Sequence, residues 1–163
     1  MVGHAHFSNA GLVGGYSVMP RSVTNTRQIV TVRLARADEG PALESLYLAS
    51  GKPPLPFVSW FSDVSPFWLV ATDEDGVGLG CINVRISKPV ATIESLCIPL
   101  NLSKRVKVQV ISRLNYEALH VCRSYGVQAV ECNLDTRIGD WARIMTKRGA
   151  VFHKSHPTYI VKV

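Results

Sequence analysis

The sequence predicts an α/β (α+β) protein, a mixed sheet with helices on its faces, preceded by an extended arm. Three observations carry that prediction. Short β-rich runs recur from Ile29 to the end of the 163-residue chain. One long stretch, 106–125, instead places its apolar residues in steps of three and four, the period of a helix packed by one face. The segments follow one another as β-α-α-β-β-β-α-β-α-β-β, an order that builds one layered domain over 29–163.

Residues 1–28 are rich in Gly, Ser and Asn, lack any acidic residue and show neither period, so they are read as an arm that contacts a partner. IVTVRLA (29–35) alternates as a strand. DEGPALESLYLAS (38–50) follows as a helix, with Asp38 as its expected cap and Pro41 in its first turn. GKPPLP breaks the chain, and FVSWFSDV (57–64) predicts a short helix. FWLVAT (67–72) and VGLGCINVRIS (77–87) form a hairpin across the acidic DEDG turn, and ATIESLCI (91–98) adds a third strand. In the long helix Val106, Val110, Leu114, Ala118, Val121, Cys122 and Tyr125 make the apolar stripe, and Gly126 ends it. VQAVECNL (127–134) is a strand, 135–150 holds a helix closed by Gly149, and VFHK with TYIVKV make a final hairpin.

Composition narrows the function classes. With 47% hydrophobic and 18% charged residues the chain is globular in type, and no apolar run reaches the ~20 residues of a membrane span. The N-terminus lacks a basic leader and a continuous apolar segment, so no signal peptide is read there. Cys81, Cys97, Cys122 and Cys132 each sit in apolar surroundings, never as C-x-x-C, and read as buried thiols of a reducing, cytoplasmic compartment. His4 and His6 are two apart, a weak signal, and no metal site is expected.

The net charge of +6 is unevenly spread. Up to Glu94 there are 7 Lys/Arg against 8 Asp/Glu; from Ser95 onward there are 11 against 4. The basic half begins at the junction IESLCIPLNLSKRVKVQ (93–109), where a strand runs into the long helix without a glycine. Lys104, Arg105 and Lys107 crowd a helix N-terminus, where the macrodipole disfavours cations by roughly 0.3–1 kcal/mol each. A phosphate or an acidic partner would compensate, and nucleic acid is a further candidate for the basic half.

ATIESLCIP resembles the fourth strand of the GNAT (N-acetyltransferase) superfamily, with its I-E-x-L-x-V-x-P pattern, and GDWARIMTKRGAVF resembles that family's late helix. The resemblance covers about 29–163 and implies a mixed, mostly antiparallel sheet with helices on both faces. It implies that Leu96, Cys97 and Ile98 would line acetyl-CoA, and that Ser103, Lys104, Arg105 and Lys107 would meet its phosphates. Glu94 would be the base. The family's phosphate loop carries glycines where Lys104, Val106 and Val108 stand here, and β-branched residues resist the φ that a tight cradle needs. The family's tyrosine acid falls on Met145 and its asparagine on Ile138; Tyr116 and Tyr125 are substitutes for the acid. The tail RGAVFHKS is similar to GNAT-like proteins encoded among the structural genes of short-tailed bacteriophages.

These readings order the expectations. First comes a non-catalytic structural or assembly module with a degenerate acyl-CoA loop and no cofactor, a virion component held by its arm to other subunits of an oligomer or larger assembly. Second is an acetyl-CoA-dependent N-acetyltransferase acting on an amine. Third is a nucleic-acid-binding module.

Overall fold

The computed structural model describes residues 29–53, 66–133, 151–153 and 158–163, with Arg143, Thr146, Lys147 and Gly149 as single positions. The expected arm (1–28), the short helix at 57–64 and most of the late helix, including Ile138 and Met145, lie outside the described residues. Within that late segment Arg143, Thr146 and Lys147 are helical. Gly149 follows with φ +84, its N–H donating to the Thr146 carbonyl at 3.0 Å, as a closing glycine should.

The described elements are β1 (Thr31–Leu34), α1 (Gly40–Ala49), β2 (Pro66–Thr72), β3 (Gly78–Ser87), β4 (Val90–Cys97), α2 (Lys104–Ser124), β5 (Ala129–Asn133), β6 (Val151–His153) and β7 (Thr158–Lys162). The strands form one sheet in the order β1-β2-β3-β4-β5-β7-β6. All neighbours are antiparallel except β4 and β5, which run parallel with α2 as their crossover. The mixed, mostly antiparallel sheet is therefore as expected.

Helices cover both faces, and strand alternation sorts the side chains between them. Leu43 and Leu46 of α1 pack on Trp68, Val70, Cys81 and Cys97. Val106, Val110, Leu114 and Ala118 of α2 pack on Leu69, Ile82, Val84, Ile93 and Leu96. The stripe extends to Ile111 and Leu119, both buried, whereas Tyr125 is 54% exposed and only stacks on Phe67, 6.2 Å between ring centroids. Asn115 is the polar exception on the buried face: its amide nitrogen donates to the Ile111 carbonyl at 2.9 Å, and its Oδ1 has no hydrogen-bond partner.

The helix ends follow from local chemistry. Gly126, at φ +72, lets its N–H reach the Arg123 carbonyl (2.9 Å) while Val127 N–H reaches that of Cys122 (3.1 Å). This pair of bonds stops α2 and turns the buried Val127 back onto it. Asp38 is not the cap of α1. A 3-10 turn, Ala37–Glu39, precedes that helix, and Glu39 does the work: its carboxylate accepts from the Arg36 N–H at 2.8 Å and from both ends of the Arg33 guanidinium at 2.6 and 2.8 Å. Glu39 is 5% exposed, so it needs that fork.

Close packing of α2 depends on Gly80 in β3. A Cβ there would lie 2.8 Å from Ile98 Cδ1, 2.9 Å from the Cys97 carbonyl oxygen and 3.1 Å from Val110 Cγ1. The oxygen is backbone and cannot swing away. Gly80→Ala should therefore cost about 1–3 kcal/mol, the usual penalty of overpacking, read as a lower urea midpoint at unchanged slope.

Burial pushes Cys122 up to about 11 and Cys132 up to about 12, whereas an unfolded thiol ionises near 9. Above pH 9 the unfolded chain therefore binds fewer protons than the folded one. Stability is full below that pH and falls as pH rises through 11 and 12, by about 1.4 kcal/mol per pH unit for each thiol. Melting temperatures from pH 8 to 11 should fall, less steeply in Cys132→Ala than in the wild type.

Candidate functional site

The site begins with a break in β4. Its first half pairs with both neighbours: Val90–Ile93 are opposite Ala129–Cys132 of β5 and Ser87–Val84 of β3. Beyond Ile93 the pairing seen among the described residues is with β3, through Ser95↔Asn83, Leu96↔Ile82 and Cys97↔Cys81. Glu94 is the extra residue of a bulge, since Val84 faces Ile93 and the next residue, Asn83, faces Ser95. The bulge also exchanges the two faces. Ala91 and Ile93 point to α2 before it, Leu96 and Ile98 after it, so Cys97 falls among the residues under α1.

The parted edge of β4 leads straight into the start of α2. Ser103 is the helix cap, extended at φ −62 and ψ 152, and its hydroxyl accepts from Val106 N–H at 3.4 Å. That bond is long, so the first turn is weakly satisfied. No acidic residue occupies the turn, and Lys104 and Arg105 are exposed on it. Helix N-termini are, in general, where free N–H groups meet anions.

The branched side chains do not lie over those amides. Val106 is 4% exposed and packs in the core with Val110, and Val108 is half-buried against the same core. Both point at the sheet, as their helical spacing requires. The loop before the cap is restrained by different means. Leu100 donates its N–H to the Ala49 carbonyl at 3.0 Å, and its own carbonyl accepts from Lys107 Nζ at 2.8 Å. Lys107 thus faces the loop, not the helix axis.

The remaining expected residues divide by exposure. Leu96, Cys97 and Ile98 are 1%, 0% and 5% exposed, so their side chains are core, and only the strand edge is left for a ligand. Glu94 is paired with Arg85, Oε2 to Nη2 3.2 Å, on side chains 35% and 47% exposed. Tyr116 and Tyr125 are half exposed rather than packed into the stripe. Among the described residues no cluster of His, Cys, Asp and Glu could hold a metal, and no helix there is long and apolar enough to cross a membrane.

No protein-family model matches the chain, and no curated protein matches it in sequence. Its fold is matched widely. A GNAT-family acetyltransferase from Staphylococcus aureus Mu50 superposes with TM-score 0.64 at 8% identity, over 82% of this chain and 99% of that one. A GNAT-family N-acetyltransferase from Escherichia coli, solved with CoA, gives 0.57 at 14% identity over 86% and 84%. The GNAT domain of an S. lividans protein gives 0.61 at 16% identity over 81% and 89%. This is the GNAT fold.

Within a GNAT frame several features of this site were not drawn from the sequence. The bulge had a signal there, because the apolar positions of ATIESLCI shift from 91 and 93 to 96 and 98. The Arg85 partner of Glu94 and the Lys107–Leu100 bond had none, since each joins elements whose register must first be known. The Arg85–Glu94 pair lies on the open part of the sheet and is worth little. Glu94→Gln should change unfolding free energy by less than about 1 kcal/mol, and a larger loss in urea unfolding would mark Glu94 as a framework residue.

Proposed function

We propose that this chain binds a CoA thioester along the parted edge of β4, with the diphosphate at the start of α2, and transfers the acyl group to an amine. One observation carries the reading: among the described residues β4 pairs with β5 no further than Ile93, and from there it runs directly to a basic, weakly capped helix N-terminus. Backbone N–H and C=O groups left without a ladder partner suit an arm that carries amides of its own, as pantetheine does. Lys104 and Arg105 would hold the diphosphate with the first-turn amides of α2, and Ser95 to Ile98 would offer backbone to the arm. Two of the similar structures were solved with CoA, the E. coli acetyltransferase and a Mycobacterium tuberculosis protein.

When bound, the thioester supplies an acyl carbon open to attack. The chain's part is to orient that carbon and to take a proton from the amine. Glu94 is placed for the second task beside the parting of the strands. Arg85 pairs with the carboxylate at 3.2 Å and, being half exposed, is readily displaced by an ammonium substrate.

A second reading, a non-catalytic binding module, is favoured by the spent groups of the loop. The Leu100 N–H and carbonyl are both engaged within the chain, and no described residue near Glu94 has been placed as an acid for the leaving thiolate. Calorimetry separates binding from chemistry. CoA should bind saturably, and Lys104→Glu with Arg105→Glu should weaken it about tenfold or more. Release of free CoA thiol over an amine panel should fall in Glu94→Gln while CoA affinity holds. Binding without thiol release would leave the module reading, and absence of binding would overturn the CoA site itself.

A further inference from the structure

The four buried thiols are of two kinds. Cys122 and Cys132 lie in the larger core under α2, and burial drives both upward, so they remain protonated and inert. Cys81 and Cys97 lie on the other face, among Leu43, Leu46, Trp68 and Val70, and both are 0% exposed. They are also direct partners in the antiparallel β3–β4 ladder.

The second pair does not behave as ordinary burial dictates. The Cys81 S–H donates to the Cys97 sulfur, and this bond holds Cys81 well above the usual thiol range. The same bond is the largest cause that lowers Cys97; burial opposes it, and the Lys52 charge lowers both thiols. Lys52 stands on the turn that ends α1, its ammonium 5.3 Å from the centre of the Tyr47 ring. A cation held on an aromatic face thus acts on both sulfurs of the pair.

We propose that Cys81 and Cys97 form an oxidation site, in which Cys97 attacks a small hydroperoxide as thiolate and Cys81 then closes a disulfide. Direct antiparallel partners have Cα atoms about 4.5–5.5 Å apart, inside the roughly 4.4–6.8 Å that a disulfide accepts. Register partners are therefore within bridging range. In the first step the Cys97 thiolate attacks one peroxide oxygen. The O–O bond breaks, an S–O bond forms, sulfur is oxidised by two electrons and the departing oxygen leaves with a proton as alcohol or water. In the second step the Cys81 sulfur gives up its proton and attacks Cys97. The S–S bond forms, the S–O bond breaks and water leaves. A small oxidant is required because neither sulfur is exposed.

The test uses the wild-type chain, so it does not depend on a core variant folding. After treatment with hydrogen peroxide the chain is unfolded in iodoacetamide and analysed whole and as peptides. The expected result is a mass lower by two hydrogen atoms before alkylation, two alkylated cysteines, Cys122 and Cys132, and one Cys81–Cys97 linked peptide. Four alkylated thiols, a sulfinic acid without a bridge, or a bridge involving Cys122 or Cys132 would overturn the site. Lys52→Met, a change outside both cores, should slow bridge formation about tenfold for each unit by which the Cys97 pKa rises. An unchanged rate would remove Lys52 from the site and with it the reason for an activated Cys97.

Discussion

One inserted residue, Glu94, governs the architecture of this domain. Without the bulge β4 would continue as a regular strand, its alternation unbroken, free to pair with β5 along its whole length. With it, β4 keeps β3, while among the described residues its parallel pairing with β5 reaches only as far as Ile93. The parity change is as consequential as the parting. It sends Leu96 and Ile98 under α2, where Gly80 leaves room for Ile98 and Val110, and it sends Cys97 against Cys81. The start of α2 is aimed by the same event, because Ile98 is anchored in the core five residues before the Ser103 cap.

The competition for charge at that helix start was read correctly in kind and only partly in detail. Three cations at an N-terminus are unfavourable, and the chain relieves one of them itself by turning Lys107 onto the Leu100 carbonyl. Lys104 and Arg105 stand exposed on the first turn. The valines expected to obstruct the turn are instead its anchors, buried on the sheet side by helical geometry. Glycine is needed at a phosphate loop when the backbone must adopt positive φ. A cap at φ −62 followed directly by helix makes no such demand.

Much of the fold was legible because its signals are local. Alternation marked β1 to β4 to within a few residues, the three-and-four spacing marked α2, and Gly126 marked its end. Asp38 misled because Asp is a favoured cap, yet the buried Glu39 beside it could recruit both Arg33 and the Arg36 N–H, and burial decided between two neighbouring carboxylates. Tyr125 was counted in the stripe by spacing alone, although it follows the last helical residue, where the period no longer applies. The pairings Arg85–Glu94, Leu100–Ala49 and Cys81–Cys97 depend on register across elements distant in sequence, and no local pattern encodes that.

The two faces of the sheet are chemically unlike, and the difference has a physical source. The α2 face is closed by a 21-residue helix whose buried side is almost wholly apolar, so thiols there can only stay neutral. The α1 face is covered by a helix of 10 residues that ends in Ser50, Gly51 and Lys52, which brings a hydroxyl and an ammonium to the rim of a small core. Cys97, Asn83 and the Arg85–Glu94 pair lie along that face in succession. A disulfide between Cys81 and Cys97 would tie β4 to β3, the neighbour it already keeps, and not to β5, from which it parts. The thiol pair and the far half of β4 therefore both follow from the Glu94 bulge, one through parity and the other through register.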